Sequence, residues 1–265
     1  MATGVNASAS CQSVRVITGF SILLSTDRDR GFHATLPVPG RLPARPALNL
    51  LFTLFLSDKY LFILDFIDHF IEQLETARAS DRLSNPYLWP QRSDNLRAWL
   101  RAIMRQPGRR VLVIGEALGY RGGVHTGIPF SSSRLINSSM HPFWRRLRPE
   151  LTVSSDISEA TASIVWESLR QRRRIPLFWN ALPFHPHQPG VPLSNRTPDR
   201  DELAAGQAFL RLLAQHYQPD LVAGVGAKGT HAAETAFPGC RVKALRHPSY
   251  GGKQAFVQGI NRLLG

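Results

Sequence analysis

Three residues of this 265-residue chain combine acid–base or hydrogen-bonding side chains with a place at or just after a short apolar run. Glu116 follows Val111–Ile114 and Gly115. Asn180 follows Pro176–Trp179. His247 follows Val242–Leu245 and Arg246. A carboxylate holds a water or stabilises developing positive charge. A carboxamide reads a ligand edge with one acceptor and one donor group. An imidazole donates a hydrogen bond at neutral pH. Five glycines surround Glu116, at positions 115, 119, 122, 123 and 127. Glycine serves where backbone must approach a ligand or adopt positive φ. A buried strand that ends in such a loop is a common anatomy for an α/β ligand site.

These side chains meet only if the runs before them are neighbouring strands. Strands are predicted at Val111–Ile114, Pro176–Asn180, Leu221–Gly224 and Val242–Leu245. Between and after them, helices are predicted at about 156–172, from an Asp199 cap to Tyr217, at about 230–236, and at 253–263. Upstream, Tyr60, Ile63, Leu64, Ile67, Phe70, Ile71 and Leu74 recur at helical spacing behind a Ser57 or Asp58 cap. Leu96, Leu100 and Ile103 mark another helix, with Ser93 as its cap. Strands alternating with helices predict an α/β fold: three α/β/α layers around a central four-stranded parallel sheet. Ligands bind such sheets beyond the carboxyl ends of the strands, where Glu116, Asn180 and His247 fall. Residues 1–47, rich in Ser, Pro, Gly and Arg, are expected to be a loose extension with a short strand near Val14–Leu24. Residues 48–265 are expected to form one domain.

The chain carries 32 Lys and Arg against 19 Asp and Glu, a formal charge of +13. Arg145, Arg146 and Arg148 form one cluster; Arg170, Arg172, Arg173 and Arg174 form another. The surplus favours a polyanionic partner, most simply nucleic acid, although a solvated basic surface gives the same total. Two cysteines, Cys11 and Cys240, are too few for a four-cysteine zinc or iron–sulfur site, and they fit a reducing cytoplasm. The longest apolar stretch, Leu48–Leu56, is too short to span a bilayer. The expected setting is cytoplasmic, at the nucleoid if the source is bacterial, with no membrane partner.

Read with their neighbours, these residues resemble the uracil-DNA glycosylase superfamily from about Asn85 to the C-terminus. Gly115-Glu116-Ala117-Leu118-Gly119 is similar to the Gly-Glu-x-Pro-Gly of family 4. Thr126-Gly127-Ile128-Pro129-Phe130 contains that family's Gly-x-Pro-Phe. His247-Pro248-Ser249 is similar to the His-Pro-Ser of family 1. The resemblance implies a role for each residue. Phe130 would stack on a flipped uracil and Asn180 would read its edge. His247 would donate to O2 as the base leaves. Glu116 would orient a water or stabilise the cationic sugar. The backbone at Gly115 and around Ala117 would touch the base or phosphates, and Tyr120 lies near the place of a tyrosine that excludes the thymine methyl. Pro248, Ser249 and Tyr250 would form a loop against the minor groove. The resemblance also implies a monomer, without metal or cofactor, acting on uracil-containing DNA. Three departures stand out. Ala117 occupies the place of the water-activating Asp of family 1, Leu118 stands where Pro is usual, and the iron–sulfur cysteines of families 4 and 5 are missing. The pattern is that of a cluster-free relative.

Other residues have plainer readings. Arg121, His125, Lys228 and Lys253 are candidate phosphate contacts or members of a solvated face. His185 and His187, spaced i, i+2 with no adjacent carboxylate, fit a loop better than a metal pair. Gly224–Thr230 lacks phosphate-loop spacing and reads as a tight strand-to-helix turn. The implied function is hydrolytic removal of uracil from DNA, opening base-excision repair without strand cleavage. The alternatives are a glycosylase for hypoxanthine or xanthine and a non-catalytic lesion binder.

Overall fold

The computed structural model describes residues 63–249 and 251–265, together with two short strands nearer the N-terminus. The chain divides into two compact units, Met1–Leu61 and Phe62–Gly265. In the first, β1 (Leu23–Ser25) pairs antiparallel with β2 (His33–Thr35). The rest of the expected N-terminal extension, the Ser57 or Asp58 cap and Tyr60 lie outside the described residues.

The second unit begins with α1 (63–76), whose Phe66, Ile67, Phe70, Ile71 and Leu74 are buried at helical spacing. There follow β3 (Leu83–Ser84), α2 (Pro90–Met104) and β4 (Val111–Ala117). Four short or medium helices come next: α3 (Gly123–Thr126), α4 (Ser133–Ser138), α5 (Pro142–Leu147) and α6 (Ala160–Ser168). The chain then runs through β5 (Leu177–Leu182), β6 (His185–Pro186), α7 (Arg200–Tyr217), β7 (Leu221–Val225), α8 (Gly226–Ala236), β8 (Lys243–Leu245) and α9 (Lys253–Leu264). Four strands form one parallel sheet in the order β5-β4-β7-β8. Every residue of β5 and the first five of β4 are buried, because helices flank the sheet and leave neither face to water. The expected α/β fold with a central four-stranded parallel sheet is therefore present.

Several boundaries differ from the sequence reading, each for a physical reason. Ser93 does not cap α2. That helix starts at Pro90, whose missing N–H costs nothing at the first position, and Ser93 is buried one turn in, donating to the Tyr87 carbonyl. The helix expected from about 156 starts at Ala160 instead. The Glu159 carboxylate accepts from the N–H groups of Thr161 and Ala162, while Asp156 pairs with Arg134. The helix expected near 230 begins at Gly226, directly after β7. β5 continues two residues past Asn180, because Ala181 and Leu182 are themselves buried. The Asp199 cap is present as a full capping box with Glu202. The antiparallel pair of β3 with β6 and the short helices α3 to α5 had no clear periodicity to announce them.

Helix α8 sits unusually close to the sheet. A Cβ on Gly229 would strike the carbonyl of Ile114 and crowd the Cα of Gly115, both on β4. Gly229→Ala is expected to lower stability by about 1–3 kcal/mol, because the obstacle is backbone and cannot rotate away. An unchanged urea midpoint would contradict this close crossing.

Candidate active site

At the carboxyl edge of the sheet the register places Gly115 of β4 directly beside Asn180 of β5. A Cβ on Gly115 would come within 2.5 Å of the Asn180 Oδ1 and within 2.5 Å of the Phe130 ring. Gly115 is thus the floor on which an amide and an aromatic ring meet. The Asn180 side chain is buried, with 3% exposure, and has no hydrogen-bond partner among the described residues. Its amide oxygen and nitrogen are not sealed from solvent, so water or a ligand can complete their hydrogen bonds.

Phe130 is held from several sides. Its φ of 55° lies in the left-handed region, uncommon for a bulky residue and maintained by its surroundings. Trp166 Nε1 donates to the Phe130 carbonyl at 3.0 Å, and the ring packs on Phe178 at 5.2 Å. The preceding turn is tied down by Tyr87 Oη donating to the Gly127 carbonyl and by Asn95 Nδ2 donating to the Thr126 carbonyl. The buried Thr126 and Ser131 hydroxyls share a hydrogen bond of 2.7 Å. The Phe130 ring stays half-buried, so part of it remains free for contact.

His247 reaches the same edge from the segment after β8. Its Cβ lies against Gly226, at the start of α8. The Ser249 N–H donates to His247 Nδ1 at 3.2 Å. A ring that accepts at Nδ1 carries its proton at Nε2 when neutral, which leaves Nε2–H to donate elsewhere. Burial pulls the His247 pKa below the ordinary imidazole range, the Glu159 and Glu116 carboxylates pull it upward, and Arg246 lowers it again. Glu159 carries no signal in the sequence; the fold brings it close to Gly122 and within electrostatic reach of His247.

Glu116 is half-exposed, and Lys228 Nζ donates to its Oε1 at 2.8 Å. Ala117 closes β4 beside Leu182. Tyr120 is held at its backbone, where its N–H donates to Asn195 Oδ1; no ring contact joins it to Phe130 or Asn180 among the described residues. Arg121 is exposed. Lys253 is engaged by Glu167 at 2.8 Å. Pro248 is buried, Ser249 is half-buried, and Tyr250 lies outside the described residues. His125 is held below the ordinary range by burial, with Arg92 and His185 adding to that and the Tyr120 carbonyl opposing it, so at neutral pH it brings no positive charge. The His185 ring nitrogens face the Leu118 and Pro192 carbonyls, to one of which its single N–H donates when neutral, and the His187 ring nitrogens face Ser84 Oγ and the Gln188 carbonyl. The loop reading holds for His187 alone, because His185 lies in β6, paired with Ser84 of β3. No group of three or more metal-ligating side chains occurs among the described residues, and no described helix is long and apolar enough to cross a membrane.

At the carboxyl edge of the sheet the arrangement offers a ring face and an amide that meet over Gly115, with the His247 N–H and the Glu116 carboxylate at the same edge. That set can hold a flat heterocycle bearing adjacent donors and acceptors. It can also stabilise charge separation, negative near His247 and positive near Glu116.

Two outcomes follow. If a neutral His247 is the working form, kcat/KM stays level down to about pH 6.5, the ordinary imidazole value, and falls only below it. Protonation there removes the Nδ1 acceptor that Ser249 uses. The lowered pKa also means that the folded state resists protonation, so the stability it contributes is present at neutral pH and lost as pH drops. An acid limb above the ordinary imidazole range would contradict this. Separately, Gly115→Ala pushes the Phe130 ring and the Asn180 amide apart; about 100-fold loss of activity is expected, with a stability cost of about 1–3 kcal/mol from the overlap. Full activity in that variant would show that the two groups do not work together.

The comparisons with known proteins bear on this geometry. A family model described as the Uracil DNA glycosylase superfamily matches residues 104–263. Among solved structures, the fold is similar to the crystal structure of wild-type SMUG2 from Pedobacter heparinus. The TM-score is 0.52 with 16% sequence identity, covering 75% of this chain and 96% of that chain. At that identity the likeness speaks for the fold. No curated protein matches the chain.

Proposed function

The chain belongs to the uracil DNA glycosylase superfamily, a family of DNA glycosylases, and on that premise we propose that it removes uracil from DNA by hydrolysis of the N-glycosidic bond. The observation that carries this reading is the buried Asn180 amide, partnerless beside the Phe130 ring over Gly115. Uracil presents a donor at N3–H next to an acceptor at O4, which matches a carboxamide's acceptor and donor side by side. A flipped base leaves the DNA stack at a cost of a few kcal/mol, and stacking with edge contacts offsets it. As the bond breaks, negative charge collects on the base near O2, where the His247 Nε2–H donates. Positive charge collects on the sugar, where Glu116 supplies a carboxylate. Ala117 cannot activate a water, so Glu116 is the group assigned to hold one. The basic surface favours approach of the DNA backbone. In this reading Arg121 and the Pro248–Tyr250 segment contact the DNA, and the enzyme acts as a monomer.

The test is incubation with a uracil-containing oligonucleotide followed by alkali, beside oligonucleotides carrying hypoxanthine or xanthine. Alkali-sensitive breaks at uracil support the proposal. Breaks only at the purine lesions would move the substrate to those bases. Salt-sensitive binding of uracil-DNA without base release would leave a lesion binder. Asn180→Asp replaces the amide donor by a second acceptor and is expected to lower activity on uracil by about 10- to 100-fold. Unchanged selectivity in that variant would remove Asn180 from base reading. His247→Leu is expected to reduce kcat by about 100-fold or more, with DNA affinity nearly unchanged.

A further inference from the structure

Lys228 reads from the sequence as a phosphate contact, yet its ammonium is already placed. Nζ donates to Glu116 Oε1 at 2.8 Å and to Thr197 Oγ1 at 2.8 Å. The three residues come from three different places: the end of β4, the first turn of α8, and the segment before α7. Each is fixed independently. Gly229 lets α8 settle directly on β4, which sets the distance from Lys228 to Glu116. The Thr197 segment is clamped by its neighbour Arg196. That guanidinium makes a paired contact to Glu202 with side chains only 11% and 12% exposed, and it donates to the carbonyls of His187 and Arg82. Glu202 in turn belongs to the capping box of α7. A chain of contacts therefore runs from the rigid start of α7 through Thr197 and Lys228 to one oxygen of Glu116. The other oxygen, Oε2, has no protein partner among the described residues.

We infer that Lys228 is a positioning residue for Glu116, seated by Thr197, and not a contact to DNA phosphate. Its ammonium anchors Oε1, which fixes the carboxylate and leaves Oε2 to face the reacting sugar or its water. A half-exposed glutamate has several rotamers of similar energy, and a carboxylate displaced by about 1 Å can lose about 100-fold in rate. The cation also adds charge beside a developing cationic sugar. That opposing effect is weak at a site open to water, because solvent screens exposed charges. Holding the carboxylate in place outweighs it.

This inference rests on the glycosylase reading for its kinetic arm and on structure for its second arm. In the full-length protein, Lys228→Met is expected to lower single-turnover kcat on uracil-DNA by about 10- to 100-fold, with KM and the salt dependence of DNA binding unchanged. Lys228→Arg should recover part of that loss. Glu116→Gln combined with Lys228→Met should be no slower than Glu116→Gln alone, because Lys228 acts through Glu116. A phosphate contact predicts the opposite: weaker binding, a salt slope reduced by about 1, and losses that add in the double variant. That result overturns the inference. If the wild type releases no base from any lesion, the functional proposal fails on its own, and a crystal structure of Lys228→Met decides the positioning claim. Glu116 moved or spread over several rotamers supports it; Glu116 unmoved overturns it.

Discussion

The site depends on a missing methyl group. Gly115 sits where strand β4 reaches the edge of the sheet, beside Asn180 in the next strand and under the ring of Phe130. Any larger residue would force the ring and the amide apart. The consequence runs outward through the packing. Phe130 accepts an uncommon backbone conformation, which Trp166, Tyr87 and Asn95 maintain through hydrogen bonds to the surrounding loop. Strain of this sort persists where the surrounding structure over-determines it.

The second constraint is electrostatic. Glu116 and Glu159 both act on His247, while burial and Arg246 hold its charge down. Ser249 takes the other side of the ring and directs its free N–H away from the loop. A neutral donor opposite a carboxylate suits a reaction that separates charge in place without transferring a proton early. The Asn180 amide, which makes no hydrogen bond among the described residues, offers a donor and an acceptor side by side at the same edge of the sheet.

Much of this site was legible in sequence, and for a local reason. A strand that ends in glycine and a charged residue, followed by a helix, reads the same wherever it occurs. Glu116 and Asn180 lie in the second halves of β4 and β5, and His247 follows β8, so the sequence placed all three at the carboxyl edge where the structure has them. Other features were hidden because they depend on distant partners. Lys228 and Glu116 lie 112 residues apart, and nothing in either local pattern pairs them. Lys253 reads as a free cation until α9 is seen beside Glu167. The histidines at 185 and 187 are spaced i, i+2 in sequence, and only the fold shows that their ring nitrogens face the protein's own polar groups. Helix starts were misplaced at Ser93 and near residue 156, because Pro90 and Glu159 begin those helices by chemistry that a search for Ser, Thr, Asp and Asn caps overlooks.

The alternation of the four sheet strands with the larger helices, and hence the parallel sheet, follow from sequence alone, and so does the placing of Glu116, Asn180 and His247 toward its carboxyl edge. They rest on periodicity and on chain direction, which are local properties. Tertiary structure decided which of those side chains touch and which are already spoken for. It set Phe130 over Gly115, left Asn180 without a partner and gave Lys228 to Glu116. Those outcomes turn on ångström-scale approaches between segments far apart in the chain, and a pattern of residue types does not encode distances of that size.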